Sequence, residues 1–161
     1  MSKPFPAEAL ITYDTSVQAE WIDYNGHMSE AFYVLVFGYA TDGLYDLLGI
    51  DAAYREAHQC SVYTVEAHIN YLQEVGEGEP LLVKTQLLES GAKKMRYFHT
   101  LYHGKTGEEL ASTELLVLFV DMTTHRTAPF PEGIADNVEA LRQAHAALST
   151  PALAERKVGQ R

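Results

Sequence analysis

The sequence predicts an α+β domain in which one antiparallel sheet wraps around a single long helix. Only one long segment carries apolar residues at helical spacing, and it lies in the first third of the chain. Four β-type segments follow it, separated by short turns that contain glycine or histidine. Short turns join antiparallel neighbours, so these segments form one sheet, and the helix must bury its apolar stripe against it.

Composition sets the outer limits on fold and function. The 161 residues, 47% hydrophobic and 21% charged, are typical of one globular domain with its own core. The net charge of −10 argues against nonspecific binding to nucleic acid or to an anionic membrane. No apolar run approaches the ~20 residues of a membrane span, and residues 1–6 lack the apolar part of a secretory signal. The single Cys60 excludes an internal disulfide, and together these features predict a cytoplasmic protein.

The front half predicts a strand and then the long helix. Residues 10–22 mix Ile, Thr, Tyr and Val, which favours a strand. Residues 29–48 carry the apolar stripe of the helix. Ser29 is the candidate N-cap, and Gly49 is a natural residue to follow the last helical turn.

The second half predicts the sheet. Its strands are expected at residues 61–72, 81–89, 93–102 and 109–121. In the first of these, the odd-numbered residues from Tyr63 to Tyr71 are expected to share one face and the even-numbered residues the other. The last is strongly apolar and is expected in mid-sheet.

The remaining chain completes one domain, residues 1–161, with a core of about residues 10–122. Two prolines, Pro129 and Pro131, interrupt the chain after the last strand. A short helix is predicted over about residues 134–148. Residues 151–161 are predicted to form a mobile tail.

The most informative segment is Trp21–Tyr33, which places a carboxylate, a turn and a helix start close together. Asp23 ends the extended segment, and Asn25-Gly26 is a strong turn signal because both residues tolerate positive φ. The first N–H groups of a helix lack intrahelical acceptors, so the backbone N–H near Glu30 can polarise a carbonyl oxygen. This arrangement suits acyl transfer, with Asp23 as nucleophile or general base. In the simpler alternative, Asp23 only caps the turn.

This segment resembles the hotdog-fold thioesterases of the 4-hydroxybenzoyl-CoA thioesterase type, over about residues 10–122. That family closes its first strand with Asp-x-x-Gly, matched here by Asp23-Tyr24-Asn25-Gly26, and Tyr33 follows ten residues after the aspartate. Residues 21–28, Trp-Ile-Asp-Tyr-Asn-Gly-His-Met, and residues 66–75 are similar to a narrower group. That group comprises the thioesterases beside, or fused to, L-carnitine dehydrogenase, and it is associated with betainyl-CoA hydrolysis.

The resemblance implies a hotdog fold and hydrolysis of a small acyl-CoA thioester, with betainyl-CoA in carnitine degradation as the candidate substrate. It assigns Asp23 as the catalytic carboxylate and the backbone N–H of Glu30 as the group that polarises the thioester carbonyl. It also implies a site between two subunits of a homodimer, or of a homotetramer. The edge strand at residues 61–72 supports this, since pairing with a symmetry mate would satisfy its free backbone groups.

Several further residues are candidates, each with a structural alternative. His27 is expected either to orient Asp23 or contact the acyl group, or else to hold the turn. Trp21 and Tyr33 are the candidates for an aromatic cage around a quaternary ammonium group, an attraction worth roughly 0.5–2 kcal/mol, with core packing as the alternative. Glu66 and His68 either line a cleft or lie on a solvated face.

Basic residues near one predicted hairpin are the candidates for holding the phosphates of coenzyme A. They are Lys93, Lys94 and Arg96, and the alternative is a solvated hairpin end. No metal site and no organic cofactor are predicted. The histidines His99 and His103 would lie ~13 Å apart along a strand, which is too far to share one ion.

Two rival functions stay open from the sequence. A hotdog enoyl-CoA hydratase or dehydratase would use Asp23 and His27 for proton transfer at carbon. A noncatalytic acyl-CoA-binding module would use neither. Release of free thiol from an acyl-CoA separates hydrolysis from both rivals.

Overall fold

A computed structural model describes residues 4–160. Two short stretches lie outside the described residues. They are residues 1–3, from the segment predicted to lack a secretory signal, and residue 161, at the end of the predicted tail. The described strands are β1 (Leu10–Ser16), β2 (Cys60–Tyr71), β3 (Pro80–Ser90), β4 (Lys94–His103), β5 (Glu109–Asp121) and β6 (Arg126–Thr127). The described helices are α1 (Glu30–Leu48), α2 (Ala52–His58) and α3 (Glu132–His145), with a short 3-10 helix at Ala19–Trp21.

The strands form one antiparallel sheet in the order β1-β3-β4-β5-β2, and β6 pairs with β5. β5 therefore lies inside the sheet, as predicted, and β2 forms one edge. Helix α1 packs against β1, β3 and β4. The α+β class and the central helix are confirmed. No helix within residues 4–160 is long and apolar enough to cross a membrane.

Helix α1 has the ends that its sequence predicts. Ser29 is the N-cap residue in extended conformation, although its side chain makes no capping hydrogen bond. Gly49 ends the helix with a φ of 90°, a left-handed conformation that glycine adopts without strain. Between these ends, four residues spaced by one turn are fully buried: Val36, Ala40, Leu44 and Leu48.

A glycine allows α1 to lie directly on β1. A Cβ atom built on Gly43 would overlap the backbone carbonyl of Thr12. Any larger residue would push the helix away from the strand. Gly38, five residues earlier on the same helix, has open space around it.

Some predicted boundaries are wrong for identifiable reasons. The first strand ends at Ser16 rather than residue 22, because the chain turns into the 3-10 helix that buries Trp21. Helix α2 was not predicted, although Asp51 accepts a hydrogen bond from the Tyr54 N–H at 2.8 Å in the manner of an N-cap. Helix α3 begins and ends earlier than predicted.

The expected face alternation of β2 is also wrong, because the strand contains a β-bulge. Thr64 pairs with Val117 and Glu66 pairs with Leu116, so the ladder skips Val65. An extra residue reverses the face of everything beyond it. As a result Tyr63 shares the outer face, the side of the sheet away from α1, with Glu66 and His68.

The C-terminal segment lies against this outer face. Ala154 is buried, and the Glu155 N–H donates to Glu114 at 2.6 Å. His68 Nδ1 lies 2.7 Å from the backbone oxygen of Arg156. These contacts show where the described part of the predicted tail lies, and its mobility stays a prediction.

A chain of polar side chains crosses the core beneath the middle of α1. His99 on β4 is fully buried, with Nδ1 2.6 Å from the Thr85 hydroxyl and Nε2 2.9 Å from the Thr41 hydroxyl on α1. The Thr85 hydroxyl in turn lies 2.8 Å from that of Thr12 on β1. Burial lowers the pKa of His99 from 6.5 to about 3, so the imidazole is neutral in the folded protein.

Candidate active site

Asp23 lies in a closed turn between the 3-10 helix and α1. Its N–H donates to the His27 carbonyl at 3.2 Å, and its own carbonyl accepts from the Gly26 N–H at 2.9 Å. Gly26 has a φ of 82°, so the turn uses the left-handed conformation that the Asn-Gly pair predicted. The turn therefore holds the Asp23 backbone from both sides.

The turn orients the carboxylate of Asp23 through one of its two oxygens. Its Oδ1 accepts a hydrogen bond from the Asn25 N–H at 2.8 Å, which is the capping contact of the simpler alternative. The second oxygen accepts no hydrogen bond from residues 4–160, and the side chain is partly exposed. Capping and chemistry are thus compatible, because one oxygen fixes the group and the other remains available to a substrate.

The start of α1 lies immediately after this turn and is held by backbone contacts. The Ser29 N–H donates to the Trp21 carbonyl, and the Met28 N–H donates to the Val75 carbonyl, both at 2.9 Å. The Ser29 side chain leaves the first helical N–H groups uncapped. As the first helical residue, Glu30 has an N–H without an intrahelical acceptor, directed out of the helix start. Such a group is available to a carbonyl oxygen.

Two tyrosines fasten the helix start to the neighbouring chain. The Tyr33 hydroxyl donates to the Gln73 carbonyl at 2.9 Å, and the Tyr71 hydroxyl donates to the Glu30 carbonyl at 3.3 Å. Their rings meet edge to face at 5.3 Å. Burial raises the pKa of Tyr33 to about 12, so its hydroxyl stays a donor.

The turn, the helix start and the loop after β2 enclose an open cleft of about 700 Å³, called the Asp23 cleft below. Its lining residues are Asp23, Tyr24, Asn25, His27, Met28, Ser29, Glu30 and Glu74. Three of them are carboxylates, and none of the lining residues in the described chain is a lysine or arginine. Glu74 was missed by the sequence reasoning, since it comes from a loop more than forty residues beyond the turn.

His27 lies in this cleft, but its side chain pairs with Glu74. The His27 Nδ1 atom is 3.2 Å from a Glu74 carboxylate oxygen. Its contact with Asp23 is made by the backbone carbonyl, which holds the Asp23 N–H. The structure therefore favours the role of holding the turn over side-chain orientation of Asp23, and contact with an acyl group stays a prediction.

The two aromatic residues predicted to form a cage are buried instead. Trp21 is 7% exposed and stacks on Phe32 at 5.8 Å, and Tyr33 is 4% exposed. Both rings therefore contribute to core packing. The aromatic ring on the rim of the cleft belongs to Tyr24, which is 98% exposed. Sequence periodicity gave no signal for this difference, because Tyr24 belongs to a turn.

Glu66 and His68 lie in a different cleft. Both line a smaller outer-face cleft with Arg96, Glu114 and residues 155–156. His68 contacts the backbone of Arg156 there. Within one chain, neither residue is part of the Asp23 cleft.

The basic cluster also lies away from Asp23 in a single chain. Lys94 pairs with Leu118 of β5, whereas Tyr71, next to the helix start, pairs with Ala111. From residue 111 to residue 118, seven steps along a strand span ~23 Å. Lys93 is exposed near the same end as Lys94.

Two cations of this cluster are already paired with carboxylates. Lys94 Nζ is 3.4 Å from Glu89, and Arg96 contacts Glu89, Glu114 and Glu155 at 2.8 to 3.2 Å. Contact with coenzyme A phosphates stays a prediction, and Lys93 is the member of the cluster with no recorded ion pair among the described residues.

The two histidines predicted not to share a metal have separate partners. His99 contacts threonines in the core, and His103 Nε2 lies 2.6 Å from Glu79. Within residues 4–160, no group of three or more His, Cys, Asp or Glu side chains could hold a metal ion. The absence of a metal or cofactor from the reaction stays a prediction.

Comparison with known proteins gives consistent results. A family model described as the thioesterase-like superfamily matches residues 17–138. The chain is 44% identical over 95% of its length to the betainyl-CoA thioesterase of Pseudomonas aeruginosa, covering 96% of that protein. It is 42% identical over 92% of its length to an L-carnitine dehydrogenase/betainyl-CoA thioesterase of a Rhizobium species, covering 30% of that longer protein.

A solved structure agrees with these relatives. A Pseudomonas putida protein solved as a candidate thioesterase is 39% identical and superposes with a TM-score of 0.82, over 96% of this chain and 98% of that one. The predicted resemblance, the hotdog class and the thioester hydrolase assignment are thereby confirmed. The Asp23 turn and helix start fall inside the matched region, and the chain belongs to the thioesterase-like superfamily.

Proposed function

We propose that this protein hydrolyses betainyl-CoA to betaine and free coenzyme A in the Asp23 cleft. The observation that carries the proposal is that Asp23, with one carboxylate oxygen unpaired within residues 4–160, lines the same cleft as Glu30 at the uncapped start of α1. The named activity of the relatives supports the choice of acyl group.

The chemistry requires two groups on the thioester carbonyl. The N–H of Glu30, at the positive end of the α1 dipole, binds the carbonyl oxygen and stabilises the negative charge that develops there. Asp23 then either attacks the carbonyl carbon or removes a proton from the attacking water. In the first route the thiolate leaves, and water hydrolyses the resulting anhydride. In both routes one water is consumed and one carboxylate and one thiol are formed.

The catalytic assembly is proposed to be a homodimer, or a pair of such dimers. β2 forms a sheet edge, and its residues 63–67 are exposed. Antiparallel pairing of β2 with a second copy would place the Cys60 end of one strand beside the Tyr71 end of the other. The Lys93–Lys94 end of the second copy would then approach the Asp23 cleft. This arrangement would bring the predicted phosphate-binding residues to the substrate.

The oligomeric state is measured by light scattering at micromolar concentration. We expect at least twice the mass of one chain, 17.9 kDa. A monomer mass at all concentrations, with full activity, would contradict the dimeric site.

A cytoplasmic location and a cofactor-free reaction complete the proposal. The single cysteine, Cys60, is buried and forms no disulfide, which is usual for proteins of a reducing cytoplasm. Activity should appear in the cytoplasmic fraction and survive dialysis against a strong chelator. Loss of activity on dialysis, restored by one metal ion, would contradict the cofactor-free mechanism.

The hydratase alternative needs an Asp–His pair, and here the His27 side chain pairs with Glu74 instead. The deciding experiment measures free thiol released from a panel of acyl-CoA esters that includes betainyl-CoA, and absorbance changes of an enoyl-CoA. We expect thiol release, fastest with betainyl-CoA, and no change in the enoyl-CoA. Binding without thiol release would favour the noncatalytic module, and loss of enoyl absorbance would favour the hydratase.

A further inference from the structure

One carboxylate of the Asp23 cleft, that of Glu74, comes from outside the catalytic turn and the helix start. Glu74 extends from the loop after β2, and its side chain is 70% exposed. Beside it, the Met28 N–H donates to the Val75 carbonyl at 2.9 Å, which fixes the loop to the turn. The His27 Nδ1 atom, on the turn itself, lies 3.2 Å from a Glu74 carboxylate oxygen. The loop backbone beside Glu74 is therefore fixed to the turn, and the Glu74 carboxylate is held in the cleft by the His27 ring.

The acyl group itself limits where its charge can lie. In a betainyl group only one CH₂ separates the quaternary nitrogen from the thioester carbon. When that carbon lies between Asp23 and the N–H of Glu30, the ammonium must also lie within the Asp23 cleft. A quaternary ammonium has no N–H to donate, so carboxylates and aromatic faces are the groups that attract it.

Both kinds of group line this cleft. Tyr24 presents an exposed ring on a turn that is fixed by the Asn25 and Gly26 contacts to Asp23. Trp21 and Tyr33 are packed in the core and present no free face.

We propose that Glu74 and Tyr24 form the subsite that selects a cationic acyl group. Glu74 supplies the opposing charge, and Tyr24 supplies a ring face for the trimethylammonium group. This inference rests on the proposed function, because it takes the Asp23 cleft as the place of reaction. Neither residue performs the chemical step, so both act on specificity.

The test compares two substrates of the same shape. Betainyl-CoA and 3,3-dimethylbutyryl-CoA differ only in the central atom of the trimethyl group, which is a charged nitrogen in one and a neutral carbon in the other. We expect wild-type kcat/KM to be higher for the cationic ester. Glu74→Gln should lower kcat/KM for betainyl-CoA about three- to tenfold, a moderate loss because the carboxylate is exposed to solvent, and leave the neutral ester unchanged.

Further variants distinguish an effect of the Glu74 charge from general damage to the site. Glu74→Lys should lower the betainyl-CoA value further, and Tyr24→Leu should reduce it severalfold, again with the neutral ester unaffected. Glu77→Gln is the matched control on the same loop, since Glu77 is exposed and does not line the cleft. Glu77→Gln should leave kcat/KM unchanged for both esters.

Two results would overturn the inference. One is equal wild-type kcat/KM for both esters, and the other is an equal loss for both esters in Glu74→Gln and Glu74→Lys with unchanged melting. A failure of the proposed function looks different, because the wild-type protein would then release thiol from neither ester.

Discussion

Helix α1 meets polar groups at its middle and at its N-terminal end, and the two regions use them in opposite ways. At the middle, His99, Thr85, Thr41 and Thr12 hydrogen bond to one another in the buried core. At the N-terminal end, three carboxylates line the open Asp23 cleft, and one oxygen of Asp23 has no partner within residues 4–160.

The difference separates structural from functional polarity. A buried polar group stabilises a fold only when its hydrogen bonds are satisfied inside the protein. The hydrogen-bonded side chains of His99 and its three threonines meet that condition. A partly exposed carboxylate loses little solvation and stays available to a ligand. The same contrast separates two histidines. His99 is fully buried and hydrogen-bonded to threonines, whereas His27 is partly exposed beside Glu74.

The largest expected effect concerns the contact of α1 with β1. Gly43→Ala would press a methyl group into the Thr12 carbonyl, so we expect a loss of more than about 3 kcal/mol in unfolding free energy. Urea denaturation measures it. The matched control is Gly38→Ala, which has open space and should stabilise the helix by roughly 0.5–1 kcal/mol. If both substitutions changed the unfolding free energy by a similar amount, the middle of α1 would not be in tight contact with β1.

A smaller effect is expected from the histidine of the buried chain. His99→Leu removes the partner of Thr41 and Thr85 and should lower the unfolding free energy by roughly 1–3 kcal/mol. Activity per folded molecule should stay near the wild-type value, because His99 contacts α1 at Thr41, eleven residues and ~16 Å along the helix from Glu30. A large fall in kcat at full folding would show that the two regions are coupled.

The smallest effect is the pH dependence that His99 gives to stability. The folded protein keeps this imidazole neutral down to a pH of about 3, because burial lowers its pKa, whereas the unfolded chain takes up a proton near 6.5. The contribution of the neutral His99 to the free energy of unfolding is therefore complete above pH 6.5. Below that pH it is lost by about 1.4 kcal/mol per pH unit.

This dependence is measured by urea denaturation between pH 6.5 and 5.5, where ordinary carboxylates stay mostly ionised. His145, whose pKa burial also lowers, adds in the same direction. The slope in His99→Leu should be about one proton smaller than in the wild type. An unchanged slope would show that His99 is protonated in the folded state.

The fold was largely predictable, because its signals are local. The apolar spacing of α1, its glycine terminator and the short turns between strands each follow from neighbouring residues, and all were confirmed. The Asp23 turn was predictable for the same reason. The bulge at Val65 was not, since it is defined only by pairing with β5. Glu74 and the burial of Trp21 likewise depend on contacts between segments distant in sequence.

The central claim is that the carboxylate of Asp23 performs the hydrolysis. Asp23→Asn tests it most directly, because the amide oxygen can still accept the Asn25 N–H while the charge and the basic oxygen are lost. We expect kcat for betainyl-CoA to fall by at least roughly 10²-fold, with KM and melting temperature little changed. Glu66→Gln, on the outer face, is the control and should leave kcat unaltered. A kcat near the wild-type value in correctly folded Asp23→Asn would contradict the account.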